Sequence, residues 1–78
     1  MDKAIYVQLG ELIKCKRRDK QISQEELAWR CKINKNSLGR IERAEGEFLV
    51  STLFTIFNEL NIDFKELNHI SHLNYKPV

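Results

Sequence analysis

The sequence is poor in chain breakers: its 78 residues include three glycines and one proline, and that proline, Pro77, stands next to the end. With few breakers and little β-branched alternation, strands and tight turns have little to build on, and helices are expected throughout. Cysteine is equally scarce. Cys15 and Cys31 fit neither a Cys-x-x-Cys redox motif nor a zinc cluster. Both are expected to be reduced, partly buried thiols that pack as small apolar residues. No apolar run approaches the roughly 18 residues that a membrane span requires. The opening Met1-Asp2-Lys3-Ala4 lacks the basic-then-apolar pattern of a secretory leader. A cytoplasmic protein off the membrane and without disulfides is therefore expected.

What is present suits one small globular domain. The hydrophobic fraction of 42% and charged fraction of 31% argue against both disorder and membrane insertion. A chain this short buries only about 60% of the surface it exposes when unfolded, so pairing with a second copy would add stability. The net charge of +2 conceals an asymmetry. Residues 14–43 carry ten bases (Lys14, Lys16, Arg17, Arg18, Lys20, Arg30, Lys32, Lys35, Arg40 and Arg43) against four acids (Asp19, Glu25, Glu26 and Glu42). The rest of the chain is net acidic. A basic middle in a nearly neutral chain is either a solvated face or a localised surface for a polyanion.

Hydrophobic spacing divides the chain into five helices. The first spans residue 3 to about 18, with Ile5, Leu9, Leu12 and Ile13 on one face; Lys16 falls where that stripe would continue, its stem along the core edge and its ammonium outside. Ser23 and Glu26 have the spacing of a capping box, and Ile22 and Leu27 that of a hydrophobic staple. They start a second helix over Gln24 to Cys31 that buries Leu27, Ala28 and Cys31. The staple recurs with Ile33, a capping Asn34 and Leu38, and a third helix follows from Lys35 to about Arg43. Two short helices joined by so brief a turn form a helix-turn-helix. Ser51 is placed to cap a fourth helix that buries Leu53, Ile56, Phe57 and Leu60, and Asp63 to open a fifth with Phe64, Leu67 and Ile70 inward.

The third helix points to function. At about 100° per residue, Lys35, Gly39, Arg43, Asn36 and Arg40 fall within one sector of about 140°, with Leu38 and Ile41 opposite. Lysine and arginine can donate to guanine O6 and N7, and asparagine can pair with adenine N6 and N7. Lys35, Asn36, Gly39 and Arg40 are therefore the candidate base-reading residues of a surface for double-stranded DNA, and Ser37, near the helix start, either contacts a phosphate or satisfies the first turn. Gly39 costs roughly 1 kcal/mol of helix propensity relative to alanine, and a bare position there would let the helix backbone approach the duplex. Gln24, Asn34 and Arg43, at helix ends, are the candidate phosphate contacts.

The stretch Ile22-Ser23-Gln24-Glu25-Glu26-Leu27-Ala28, followed by Leu38, Ile41-Glu42-Arg43, Leu53, Ile56, Leu60 and Leu67, resembles the Cro/repressor-type (XRE) helix-turn-helix family over about residues 9–67. The resemblance implies an all-α, compact five-helix repressor-like domain over residues 1–67, with residues 68–78 a tail that extends the last helix or the dimer interface. It implies a homodimer on a pseudo-palindromic operator. It also implies that Gln24 grips a phosphate, that Lys35, Asn36, Ser37 and Arg40 face the groove as base-reading residues, and that Arg17 and Glu42 form a buried ion pair between the first and third helices. Phe54, Phe64, Leu67 and Ile70 are the candidate dimer-interface residues, and RNA polymerase is a further candidate partner. Length and the Gly39-Arg40-Ile41-Glu42-Arg43 stretch look most like restriction–modification controller proteins, which regulate their own and the endonuclease gene; a phage Cro-like repressor is the alternative. Three residues depart from the family pattern: Lys32 where glycine is common in the turn, Lys16 at a usually aliphatic position, and Phe54 at a usually polar one.

The residues support two other classes less well. An antitoxin whose DNA-binding domain also binds a toxin would need a partner-binding segment, for which only residues 68–78 remain. An enzyme would need a nucleophile–base pair or a phosphate-cradling loop, and neither is visible. His69 and His72, three apart, are better read as surface residues than as metal ligands, so no cofactor or metal is expected.

Overall fold

The computed structural model describes residues 3–63, 65 and 66. The described residues are all-α, with four helices in order: α1 (Lys3–Asp19), α2 (Gln24–Cys31), α3 (Lys35–Glu42) and α4 (Val50–Leu60). Each pairs an apolar stripe with a polar face. The stripes meet in one core of Leu9, Ile13, Ile22, Leu27, Ala28, Cys31, Leu38, Ile41, Ile56, Phe57, Leu60 and Ile62. α3 packs on both α1 and α2, and α4 closes the opposite side against the same two helices. Tyr6 and Phe48 meet edge to face at 5.6 Å, tying the start of α1 to the segment after α3.

Local signals explain most boundaries. Ser23 Oγ accepts a hydrogen bond from the Glu26 N–H at 3.0 Å and caps α2. The return half of the expected capping box is missing, because the Glu26 carboxylate accepts instead from Arg30 Nε, one turn on, at 2.9 Å. Asn34 Oδ1 caps α3 by accepting from the Asn36 N–H at 2.7 Å. α4 departs from expectation: it starts at Val50 without a side-chain cap, and Ser51 lies within its first turn. The Leu49 carbonyl already accepts from the N–H groups of Thr52 and Leu53, so the helix begins before the serine is reached.

Each helix is followed by a residue in the left-handed region that is not glycine: Gln21, Lys32, Ala44 and Asn61, with φ between 55° and 59°. At Lys32 the expected departure from glycine is thus realised, with φ 57°. L-residues pay for this conformation sterically, by about 1–2 kcal/mol each.

Glycine is required elsewhere. A Cβ on Gly10, within α1, would lie 2.6 Å from the Ile41 carbonyl oxygen and 2.7 Å from that of Glu42. The bare position lets the backbones of α1 and α3 come together.

Beyond α4, Asp63 and Glu66 build a reciprocal cap: Asp63 Oδ1 accepts from the Lys65 N–H, and Glu66 Oε2 from the Asp63 N–H. Most of the expected fifth helix lies outside the described residues, as do Phe64, Leu67, Ile70, His69 and His72. Lys16 keeps its ammonium outside as expected and sets it 2.6 Å from Glu66 Oε1. That hydrogen bond raises the Lys16 pKa above its ordinary value. Cys31 is buried, and burial pushes its thiol pKa up. Cys15, expected to be partly buried, is exposed. It lies about 200° around the helix from Ile13, on the solvent side of α1.

Candidate nucleic-acid interface

The site is held from beneath by a buried ion pair. Arg17 Nε and Nη2 donate to the two carboxylate oxygens of Glu42 at 2.7 and 3.1 Å, and Arg17 Nη1 donates to the Ile22 carbonyl at 2.9 Å. The Glu42 side chain is 1% exposed and that of Arg17 is 11%. A two-pronged guanidinium–carboxylate bond fixes orientation as well as distance. It locks α3 to α1, and through Ile22 to the segment that enters α2. No buried side-chain polar atom among the described residues lacks a hydrogen-bond partner.

Gln24 joins this network. Its Nε2 donates to Glu42 Oε1 at 2.9 Å, so the side chain expected to grip a phosphate is first oriented by α3. The second amide hydrogen of Nε2 remains for another acceptor.

On α3, Leu38 and Ile41 are buried and Lys35, Asn36 and Arg40 are exposed, as the helical projection anticipates, and Ser37 is exposed as well. Lys35 Nζ lies 4.0 Å from Glu25 Oε2, with both groups in water, where such pairs hold little energy. The Arg40 guanidinium reaches back over the following turn, its Nη2 3.1 Å from where a Cβ on Gly46 would stand. Asn34 spends its carbonyl oxygen on the cap and keeps its amide as a donor. Arg43 is exposed, with Nε and Nη2 donating to Glu45 at 2.9 and 3.2 Å. That pairing raises the arginine pKa and lowers that of Glu45 below the usual carboxylate value.

Gly39 requires a correction. It was expected to bare the helix backbone on the groove-facing side, yet it is buried. The tips of Arg43 and Gln24 lie over it: a Cβ would meet Arg43 Nη1 at 3.0 Å and Gln24 Oε1 at 3.5 Å. The missing side chain makes room for two others.

With two short consecutive helices, the second polar and basic on one side and apolar on the other, in place, the chain matches a family model described as helix-turn-helix over residues 13–67. The chain belongs to the Cro/repressor-type helix-turn-helix family. No curated protein and no solved structure gives a match to set beside it. As a helix-turn-helix protein of this family it is a DNA-binding regulator of transcription. No helix among the described residues is long and apolar enough to cross a membrane.

Sequence reasoning passed over several residues that shape this helix-turn-helix surface. Gly10 sets the α1–α3 approach and Glu45 engages Arg43; Glu42 was named for its pairing with Arg17, but not for its hold on Gln24. The one available signal was Gly10 itself, since a glycine within an otherwise regular helix needs a packing reason. Trp29 on α2 was also unremarked and is 78% exposed. Phe54, a candidate interface residue, is exposed together with Leu49 and Val50 near the start of α4.

Proposed function

We propose that this helix-turn-helix protein acts as a cytoplasmic homodimer that reads a pseudo-palindromic operator and carries out no catalysis. Each subunit places α3 in a major groove, with Lys35, Asn36, Ser37 and Arg40 facing base edges. Gln24, Asn34 and Arg43 hold the phosphate backbone. The observation that carries this reading is the division of α3: Leu38 and Ile41 buried, and these four polar residues exposed along the other side. Arginine and asparagine at such positions suit bidentate pairing with guanine and adenine.

The dimer is supported by Leu49, Val50 and Phe54, whose exposed apolar surface near the start of α4 suits a self-complementary contact. Two subunits related by a two-fold axis would read half-sites about 10 base pairs apart, or a multiple of that spacing. At the finest level, we read the protein as a restriction–modification controller acting on its own and the endonuclease promoter, with RNA polymerase the machinery it recruits or blocks.

Selection of bound sequences from random duplex DNA, with stoichiometry measured alongside, tests this function. Recovery of a two-fold motif bound by two or four chains supports the operator-reading dimer. Recovery of nothing above salt-sensitive background overturns it. Arg40→Ala is expected to weaken the selected site by about 1–3 kcal/mol while largely sparing random DNA. Equal loss on both would make Arg40 a phosphate contact.

A further inference from the structure

Of the two helical glycines, Gly10 and Gly39, only the first is demanded by the fold. The atoms that a Cβ on Gly10 would strike are backbone carbonyls of α3. Those that a Cβ on Gly39 would strike are the ends of two side chains, Arg43 and Gln24. Such tips can swing aside, so an alanine at 39 would fit the fold, and what it would disturb is where those tips rest.

Both tips are tethered from the other side. Glu45 takes Nε and Nη2 of Arg43, which leaves Nη1 as the edge turned toward Gly39. Glu42, itself fixed by Arg17, takes one amide hydrogen of Gln24. The Nη1 donor of Arg43 and the Oε1 acceptor of Gln24 therefore lie over one bare position, each side chain held by its own carboxylate.

We infer that Gly39 is the floor of a phosphate clamp: it seats the Arg43 guanidinium against the carbonyl edge of the Gln24 amide, so that Arg43 and the remaining Nε2 hydrogen of Gln24 donate side by side to the phosphate backbone where the start of α2 meets the end of α3. Gly39 acts through these neighbours, as a positioning residue, and not by admitting the duplex to its own backbone. Glu45 and Glu42 are the tethers that aim the two donors. This inference rests on the reading of α2 and α3 as a duplex-binding unit, and it adds the residue that brings two phosphate contacts together.

The clamp makes a prediction of opposite signs. Alanine is the better helix former, so Gly39→Ala should raise Tm by a few degrees. The same Cβ displaces Arg43, so binding to a mixed-sequence DNA duplex should weaken about three- to tenfold, with the logarithmic salt slope falling by up to about one. Fluorescence anisotropy over roughly 50–200 mM salt reads both quantities. Arg43→Ala should lose as much or more. In the Arg43→Ala background, Gly39→Ala should cost little further, because the donor it displaces is already gone.

An unchanged affinity and slope in Gly39→Ala, alongside a higher Tm, would overturn the clamp. So would an equal further loss in the Arg43→Ala background, which is what direct approach of the helix backbone to DNA predicts. If the unmodified chain binds no duplex at all, the DNA-binding reading falls and takes the clamp with it. If it binds and Gly39→Ala binds equally, only the clamp falls.

Discussion

Replacing Glu42 with alanine would leave the Arg17 guanidinium in place, 11% exposed, with the Ile22 carbonyl as its remaining partner. A charge that loses its counter-ion inside a protein keeps its desolvation penalty and loses the attraction that offset it. Breaking such a pair from one side costs about 3–5 kcal/mol. At about 0.05–0.15 kcal/mol per residue, a domain of this length has roughly 4–12 kcal/mol of total stability. The single substitution should therefore remove between a quarter and all of it. In urea, with a slope of about 1 kcal/mol per molar, the midpoint should fall by about 3 M or more. Replacing both partners with apolar residues, as in Arg17→Met with Glu42→Leu, removes the stranded charge and should recover most of the loss. Gln24 is half-exposed and can turn its freed amide to water, so it should not obscure the comparison. Urea melts followed by far-ultraviolet circular dichroism measure all of these values. A Glu42→Ala loss below about 1 kcal/mol, or a double variant no more stable than the single one, would refute the reasoning.

Gly10→Ala should destabilise by about 1–3 kcal/mol despite the better helix propensity of alanine, because α1 and α3 must part to admit a Cβ between backbone carbonyls; a thermal melt at or above the wild-type Tm would contradict this. Lys32→Gly should stabilise by about 0.5–1 kcal/mol by relieving the left-handed backbone after α2, less the added freedom of the unfolded chain, and is read in the same melt. The Glu45 carboxyl is held below its ordinary pKa by Arg43, so its contribution is present above the ordinary value and is lost as pH falls through the lowered one. Its midpoint by nuclear magnetic resonance should move up in Arg43→Ala, and an unmoved midpoint would show that the pair does not persist in solution.

The helix-turn-helix was legible because its signals are local. A cap and two apolar residues at fixed spacing define how each of α2 and α3 begins, and both start where the pattern places them. The buried face of α4 was equally plain, but its first residue was not: the chain turned helical at Val50, ahead of the serine that invited the boundary. Arg17 shows where composition misleads, since by charge alone it belonged with the basic surface, and only the family resemblance paired it with Glu42. The contacts that aim Gln24 and Arg43 were invisible for a physical reason. They depend on how closely α2 and α3 cross, and no spacing along one helix encodes a distance between two. Gly39 combined both cases: its place on the helix was legible, and the two side chains that lie over it were not.

The exposure of Trp29, the single tryptophan of the chain, has an optical consequence. An indole already in water changes its emission little when the protein unfolds, so the usual fluorescence melt would be nearly blind to the loss of the core. The same property makes Trp29 a clean local reporter, because whatever dims or shifts its emission at constant folding must be touching or covering the outer side of α2. One intrinsic signal thus follows contact and another, circular dichroism, follows folding, and the two can be recorded on the unlabelled protein in one cuvette.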